Sequence, residues 1–65
     1  MVGKRIKAYL AENGIKQSFI SEKTGIPNDT LSKILSGVRD LKVIEYVHIC
    51  RALKVEFETF IDDED

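Results

Sequence analysis

Residues Gln17–Gly37, QSFISEKTGIPNDTLSKILSG, decide the reading of this chain. Ile20 and Thr24 stand one helical turn apart and can face inward together, and Ser21 is small enough for a close crossing. Gly25 supplies a left-handed turn that residues with a β-carbon resist. Ile26 anchors that turn, and Pro27 suits the first turn of a helix, where no intrahelical N–H bond is needed. Beyond it, at about 100° per residue, Thr30, Leu31, Ile34 and Leu35 share one side. Asn28, Asp29, Ser32, Lys33 and Ser36 share the other, and Gly37 ends the run. The stretch therefore predicts a helix from Gln17 to Thr24, a tight turn, and a helix from Pro27 or Asn28 to Ser36. This is the layout of a helix-turn-helix, with a polar outer face on the second of the two helices.

Helical spacing also recurs outside this stretch, and period-two alternation never lasts. A first helix is expected from Val2 to Asn13, with Val2, Ile6, Tyr9 and Leu10 on one face and Asn13-Gly14 as its stop. Ile15 packs under the junction that follows. A fourth helix is expected from Val43 to Leu53, with Val43, Tyr46, Ile49, Cys50 and Leu53 inward. A short fifth helix, Glu56 to Ile61, carries Phe57, Phe60 and Ile61. The expected fold class is all-α, a single five-helix domain over residues 1–61 with an acidic tail at 62–65.

Composition removes several function classes. In 65 residues a chain buries only about 60% of its unfolded surface, which leaves no room for a deep substrate cavity beside the core. No apolar run approaches the roughly 20 residues of a membrane span, and the N-terminus does not read as a signal peptide. The single Cys50 cannot form an internal disulfide, which fits a reducing cytoplasm. His48 and Cys50 are too few, and too differently directed on a helix, to make a metal site. No nucleophile–base pair and no phosphate-cradling glycine loop suggests an enzyme, and no cofactor is implied. The net charge of −1 hides a partition: residues 1–42 hold eight Lys/Arg against four Asp/Glu, and residues 43–65 hold two against seven. A basic part and an acidic part suit a protein with one face for an anionic polymer and another turned away from it.

With the helices placed, the chain closely resembles the phage repressor/Cro (XRE-like) family of bacterial helix-turn-helix proteins, whose domain is the five-helix lambda-repressor-like fold. The resemblance covers residues 3–61. Its matching segments are Gly3-Lys4-Arg5-Ile6, Gly14-Ile15-Lys16-Gln17 and Glu22-Lys23-Thr24-Gly25-Ile26. They continue through Thr30-Leu31-Ser32-Lys33-Ile34-Leu35-Ser36-Gly37 and Ile49-Cys50-Arg51-Ala52-Leu53-Lys54-Val55. The chain departs from the family pattern at Pro27 and Lys42, where Ser or Thr caps are usual, and at Lys54, where Gly is common. A left-handed Lys54 would cost about 1 kcal/mol.

The resemblance implies a sequence-specific transcriptional regulator, in particular a repressor, that binds a short inverted repeat of double-stranded DNA as a homodimer. It implies base reading by Asn28, Asp29, Ser32 and Lys33. Phosphate contacts fall to Lys16 and Gln17 at the second helix and to Arg39 and Lys42 in the loop after the third. Side-chain chemistry agrees in kind. Asn28 can pair with adenine N6 and N7 or cap its helix, and Lys33 can reach guanine or a phosphate. Asp29 can accept from cytosine N4 or complement the positive helix end, and Ser32 is small enough to let the helix sit deep. Phe57, Phe60 and Ile61 are rich for so short a segment, so some complete the core and the rest offer a dimer interface. The same residues and the acidic tail motivate an alternative, a helix-turn-helix antitoxin or accessory module that acts through a protein partner.

Overall fold

The computed structural model describes residues 2–61. The acidic tail at 62–65 lies outside the described residues. Four α-helices follow one another: α1 (Val2–Glu12), α2 (Gln17–Thr24), α3 (Asn28–Ser36) and α4 (Val43–Leu53), closed by a 3₁₀ turn at Phe57–Phe60. No strand occurs among the described residues. The class is all-α, as the periodicity indicates.

One core holds the helices together. Ile6 and Leu10 of α1, Ile20 of α2, Leu31, Ile34 and Leu35 of α3, Ile49 and Cys50 of α4, Ile26 of the turn and Phe60 are all buried. In α1 and α3 they recur at helical spacing, Ile6 with Leu10 and Leu31 with Ile34 and Leu35, so those helices bury one stripe and keep their polar side in water. α1 packs on α3, α2 packs on both α3 and α4, and the 3₁₀ turn closes against α1. Phe60 is the keystone of that closure, its ring edge-on to Tyr9 at 5.4 Å and to Tyr46 at 6.5 Å between centroids. The Tyr46 hydroxyl donates to the Phe57 carbonyl and pins the turn to α4.

The structure departs from sequence expectation at three places. α1 stops at Glu12 rather than Asn13, on the approach to the left-handed Gly14 at φ 63°, and the Asn13 side chain joins its own backbone N–H on the Tyr9 carbonyl at 2.8 and 3.0 Å. The fifth helix is a single 3₁₀ turn, a form suited to pieces of this length. Val43, expected inward, is 81% exposed. It is the first residue of α4, and the core face of that helix begins one turn later, at Tyr46, so Val43 projects past the edge of the core.

Two backbone sites carry the tightest constraints. Gly3 lies where α1 crosses α3, and a β-carbon there would fall 2.3 Å from the Ile34 carbonyl oxygen. Lys54, at the C-terminal cap of α4, is left-handed at φ 58° and ψ 42°, the one non-glycine with positive φ among the described residues. Gly3→Ala is therefore expected to destabilise the fold by about 1–3 kcal/mol, read as a lower urea midpoint. Lys54→Gly is expected to relieve about 1 kcal/mol and to raise the melting temperature by roughly 4–8 °C; an unchanged or lower value would show that the cap is not strained.

Candidate nucleic-acid interface

The outer face of α3 is open. Asn28, Asp29, Ser32, Lys33 and Ser36 are all exposed, while Leu31, Ile34 and Leu35 behind them are buried. α3 begins at Asn28 with Pro27 in the cap position at φ −56° and ψ 144°. Proline has no side-chain acceptor to cap with, and no side chain caps this helix. Asn28 is thus the first helical residue and not the cap, and its side chain is free for other work. Asp29, in the first turn, complements the positive end of the helix.

The turn between α2 and α3 fixes where that face points. Gly25 is left-handed at φ 79° and closes α2 through its N–H to the Ser21 carbonyl. Three short side-chain bonds brace it. Ser21 Oγ donates to the Ile26 carbonyl at 2.6 Å, Thr24 Oγ1 donates to the Ile20 carbonyl at 2.7 Å, and the Ile26 N–H donates to Thr24 Oγ1 at 3.2 Å. With the turn held, the start of α2 meets the outer face of α3. Gln17 Nε2 donates to Asn28 Oδ1 at 3.0 Å and to Ser32 Oγ at 2.8 Å, with the Asn28 carbonyl at 3.4 Å. The structure thus brings together three residues assigned separately, one as a phosphate contact and two as base readers. It also turns the Gln17 amide toward α3, so a phosphate at the start of α2 would meet the backbone N–H of Gln17, beside the exposed Lys16.

The loop after α3 is anchored as well. The Lys33 carbonyl accepts from the N–H groups of Val38 and Arg39 at 2.9 and 3.1 Å, and Gly37 caps the helix in the left-handed region. Arg39 does not extend freely toward solvent. Its two terminal nitrogens bond both oxygens of Glu45 at 2.9 and 3.0 Å, and one of them also donates to the Asp40 carbonyl at 3.1 Å. Glu45 accepts in addition from the Lys42 N–H at 2.9 Å, so a single carboxylate ties the loop to the start of α4. Lysine has no acceptor to return the bond, so this is half of a capping box. The pair leaves the Nε–H edge of Arg39 unused. Sequence reasoning named Arg39 and missed Glu45, although its place three residues after the Lys42 cap was a usable signal. Lys42 itself is exposed.

The other assigned residues are apart from this face. Phe60 is buried in the core, while Phe57 and Ile61 remain about half exposed. Ile61 joins Val2, Leu41, Val43 and Tyr46 around a shallow apolar groove of about 310 Å³. Cys50 is fully buried, and that burial pushes its thiol up, away from the nucleophilic thiolate. No cluster of three or more potential metal ligands occurs among the described residues, and none of their helices is long and apolar enough to cross a membrane.

A family model described as helix-turn-helix matches residues 6–60, nearly the whole described chain. The chain belongs to the helix-turn-helix family, of the phage repressor/Cro type. Comparison with curated proteins and with solved structures finds no match. Membership makes the protein a DNA-binding transcription regulator.

The Arg39 guanidinium holds the Glu45 carboxyl below the usual carboxylate range, the Lys42 N–H adding to it. A carboxylate with a lowered folded-state pKa contributes stability that is present above its unfolded value and is lost as pH falls through the folded one. Stability is therefore expected to fall on acidification below about pH 4.5. Glu45→Gln should flatten that acid limb, measured as urea midpoints across pH 3 to 7 (about the carboxylate range).

Proposed function

We propose that the protein is a sequence-specific repressor that binds a short inverted repeat of double-stranded DNA as a homodimer, in the cytoplasm and without a cofactor. The observation that carries this reading is the exposed polar face of α3, joined to the start of α2 by Gln17. That face has no other partner among the described residues, and it is the size and shape of a rod that fits a major groove. Asn28, Asp29, Ser32 and Lys33 read base edges. Lys16, the Gln17 backbone and Lys42 hold phosphates on either side, and Arg39 joins them through its Nε–H edge.

The dimer reading is supported by apolar surface away from that face. Val43, Ile44, Phe57 and Ile61 are 81%, 59%, 48% and 50% exposed. Two copies related by a two-fold axis would bury these residues and place their α3 helices in successive major grooves, roughly 34 Å apart. The same exposed residues also favour a second reading, an antitoxin or accessory module whose apolar surface meets a different polypeptide.

Selection of bound fragments from random duplex DNA separates the two. Recovery of a motif with two-fold symmetry and half-sites one helical turn apart is the expected result, and the absence of any enriched duplex would reject the repressor reading. On the selected duplex, Lys42→Ala should weaken binding to all sequences alike and lower the slope of log affinity against log salt by about one.

A further inference from the structure

The loop that leaves α3 carries as many acids as bases. Residues 38–45, VRDLKVIE, hold Arg39 and Lys42 against Asp40 and Glu45, a formal charge of zero. Read from sequence, the four charges are independent. In the structure two of them are not. Arg39 Nη1 and Nη2 donate to Glu45 Oε1 and Oε2 at 2.9 and 3.0 Å, and the Lys42 N–H donates to Oε1 at 2.9 Å.

Both partners are also held from behind. The Arg39 N–H donates to the Lys33 carbonyl at 3.1 Å, which fixes the loop to the end of α3, and Nη1 donates in addition to the Asp40 carbonyl at 3.1 Å. Glu45 lies in the first turn of α4, where a carboxylate complements the positive helix end. Its side chain is 15% exposed against 31% for Arg39, so the carboxylate is the more enclosed partner. A phosphate that took the guanidinium away would leave that carboxylate with one donor in place of three, and a charged group deprived of its donors is costly to enclose.

The pairing bears on how the loop meets a polyanion. Sequence-independent affinity for DNA comes from cations that displace condensed counterions. The slope of log affinity against log salt counts them, at about 0.9 per phosphate neutralised. A guanidinium whose charge is cancelled by a bonded carboxylate does not enter that count, although its remaining N–H can still donate to a phosphate oxygen.

We infer that Glu45 is a brake on sequence-independent DNA binding: it cancels the charge of Arg39 toward the duplex, so that Lys42 alone supplies the loop's share of counterion release. The inference rests on the DNA-binding reading above and decides which of its two loop cations counts. Glu45 is a positioning residue here, because it touches no phosphate.

The test is a double-mutant cycle on the full chain. The native protein, Arg39→Ala, Glu45→Gln and the double variant are each titrated with random-sequence duplex between about 50 and 200 mM salt. Glutamine keeps an acceptor for the Lys42 N–H and suits the third position of a helix, so α4 is expected to form in Glu45→Gln. Arg39→Ala should leave the slope at its native value. Glu45→Gln should steepen it by about one, so that affinity falls about threefold further than the native chain's across that range. In the Glu45→Gln background, Arg39→Ala should remove that added unit. Independent charges would instead lose about one unit on Arg39→Ala in either background. A slope lowered by Arg39→Ala in the native chain, or left unchanged by Glu45→Gln, would overturn the inference and leave the DNA-binding reading intact. The Glu45→Gln arm decides by itself if Arg39→Ala does not fold. A native chain that binds no duplex at low salt would overturn both.

Discussion

The geometry of the whole interface depends on the brace at Thr24–Pro27. Gly25 turns the chain left-handed, and Ser21 and Thr24 satisfy the backbone groups that the turn would otherwise strand. Such groups are expensive to bury unpaired, about 1–3 kcal/mol each, so the turn is held in one conformation and not merely allowed in it. No buried side-chain polar atom lacks a partner among the described residues. Because Ile26 enters the core from inside the turn, the brace and the packing of α3 are one event. Loosen either and Gln17 no longer meets Asn28 and Ser32, so the sense in which those side chains face outward is lost with the turn.

Behind this brace, the rest of the fold supports α3 from the side away from the interface. α1 crosses it so closely at Gly3 that only a hydrogen fits against the Ile34 carbonyl. α4 supports α2 through a stripe centred on Ile49 and Cys50. A core of ten buried apolar side chains among the described residues is small. A fold of this size tolerates one strained residue, Lys54, because the cost there is local to a helix end and is not transmitted to α3.

The sequence was legible where periodicity is strong and local chemistry decides. The α2 and α3 bounds, the inward stripe of α3, the left-handed Gly25 and the buried Cys50 all follow from spacing and residue type, and each is found. What escaped was tertiary. Val43 satisfies the helical period of α4, but period cannot tell where the core ends along the helix axis. Phe60 and Phe57 are alike in composition and three apart, and only the positions of Tyr9 and Tyr46 determine that Phe60 is the one enclosed. At the interface, projection from the helix was readable and bonding was not. Asn28, Ser32 and Gln17 were each placed on an outer surface, and nothing in their separations of 11 and 15 residues shows that they bond one another.

Charge illustrates the same limit with a functional consequence. The partition at residue 42 assigns Glu45 to the acidic part of the chain, yet the fold returns it to the basic part, with its carboxylate spanning Arg39. The ion pair is 31% exposed on the arginine side and is worth little to stability on its own. Its larger effect is on the field. A cation paired at hydrogen-bond distance looks neutral to an anion that approaches from beyond the screening length of about 8 Å, so on the proposed reading steering toward the α3 face would fall to Lys16, Lys33 and Lys42. At contact range the position would change, because a guanidinium already fixed by Glu45 has little rotamer freedom left to lose on binding. The pair therefore trades long-range attraction for order at close quarters, an exchange that suits a protein whose selectivity must come from its fit to particular base edges and not from charge alone.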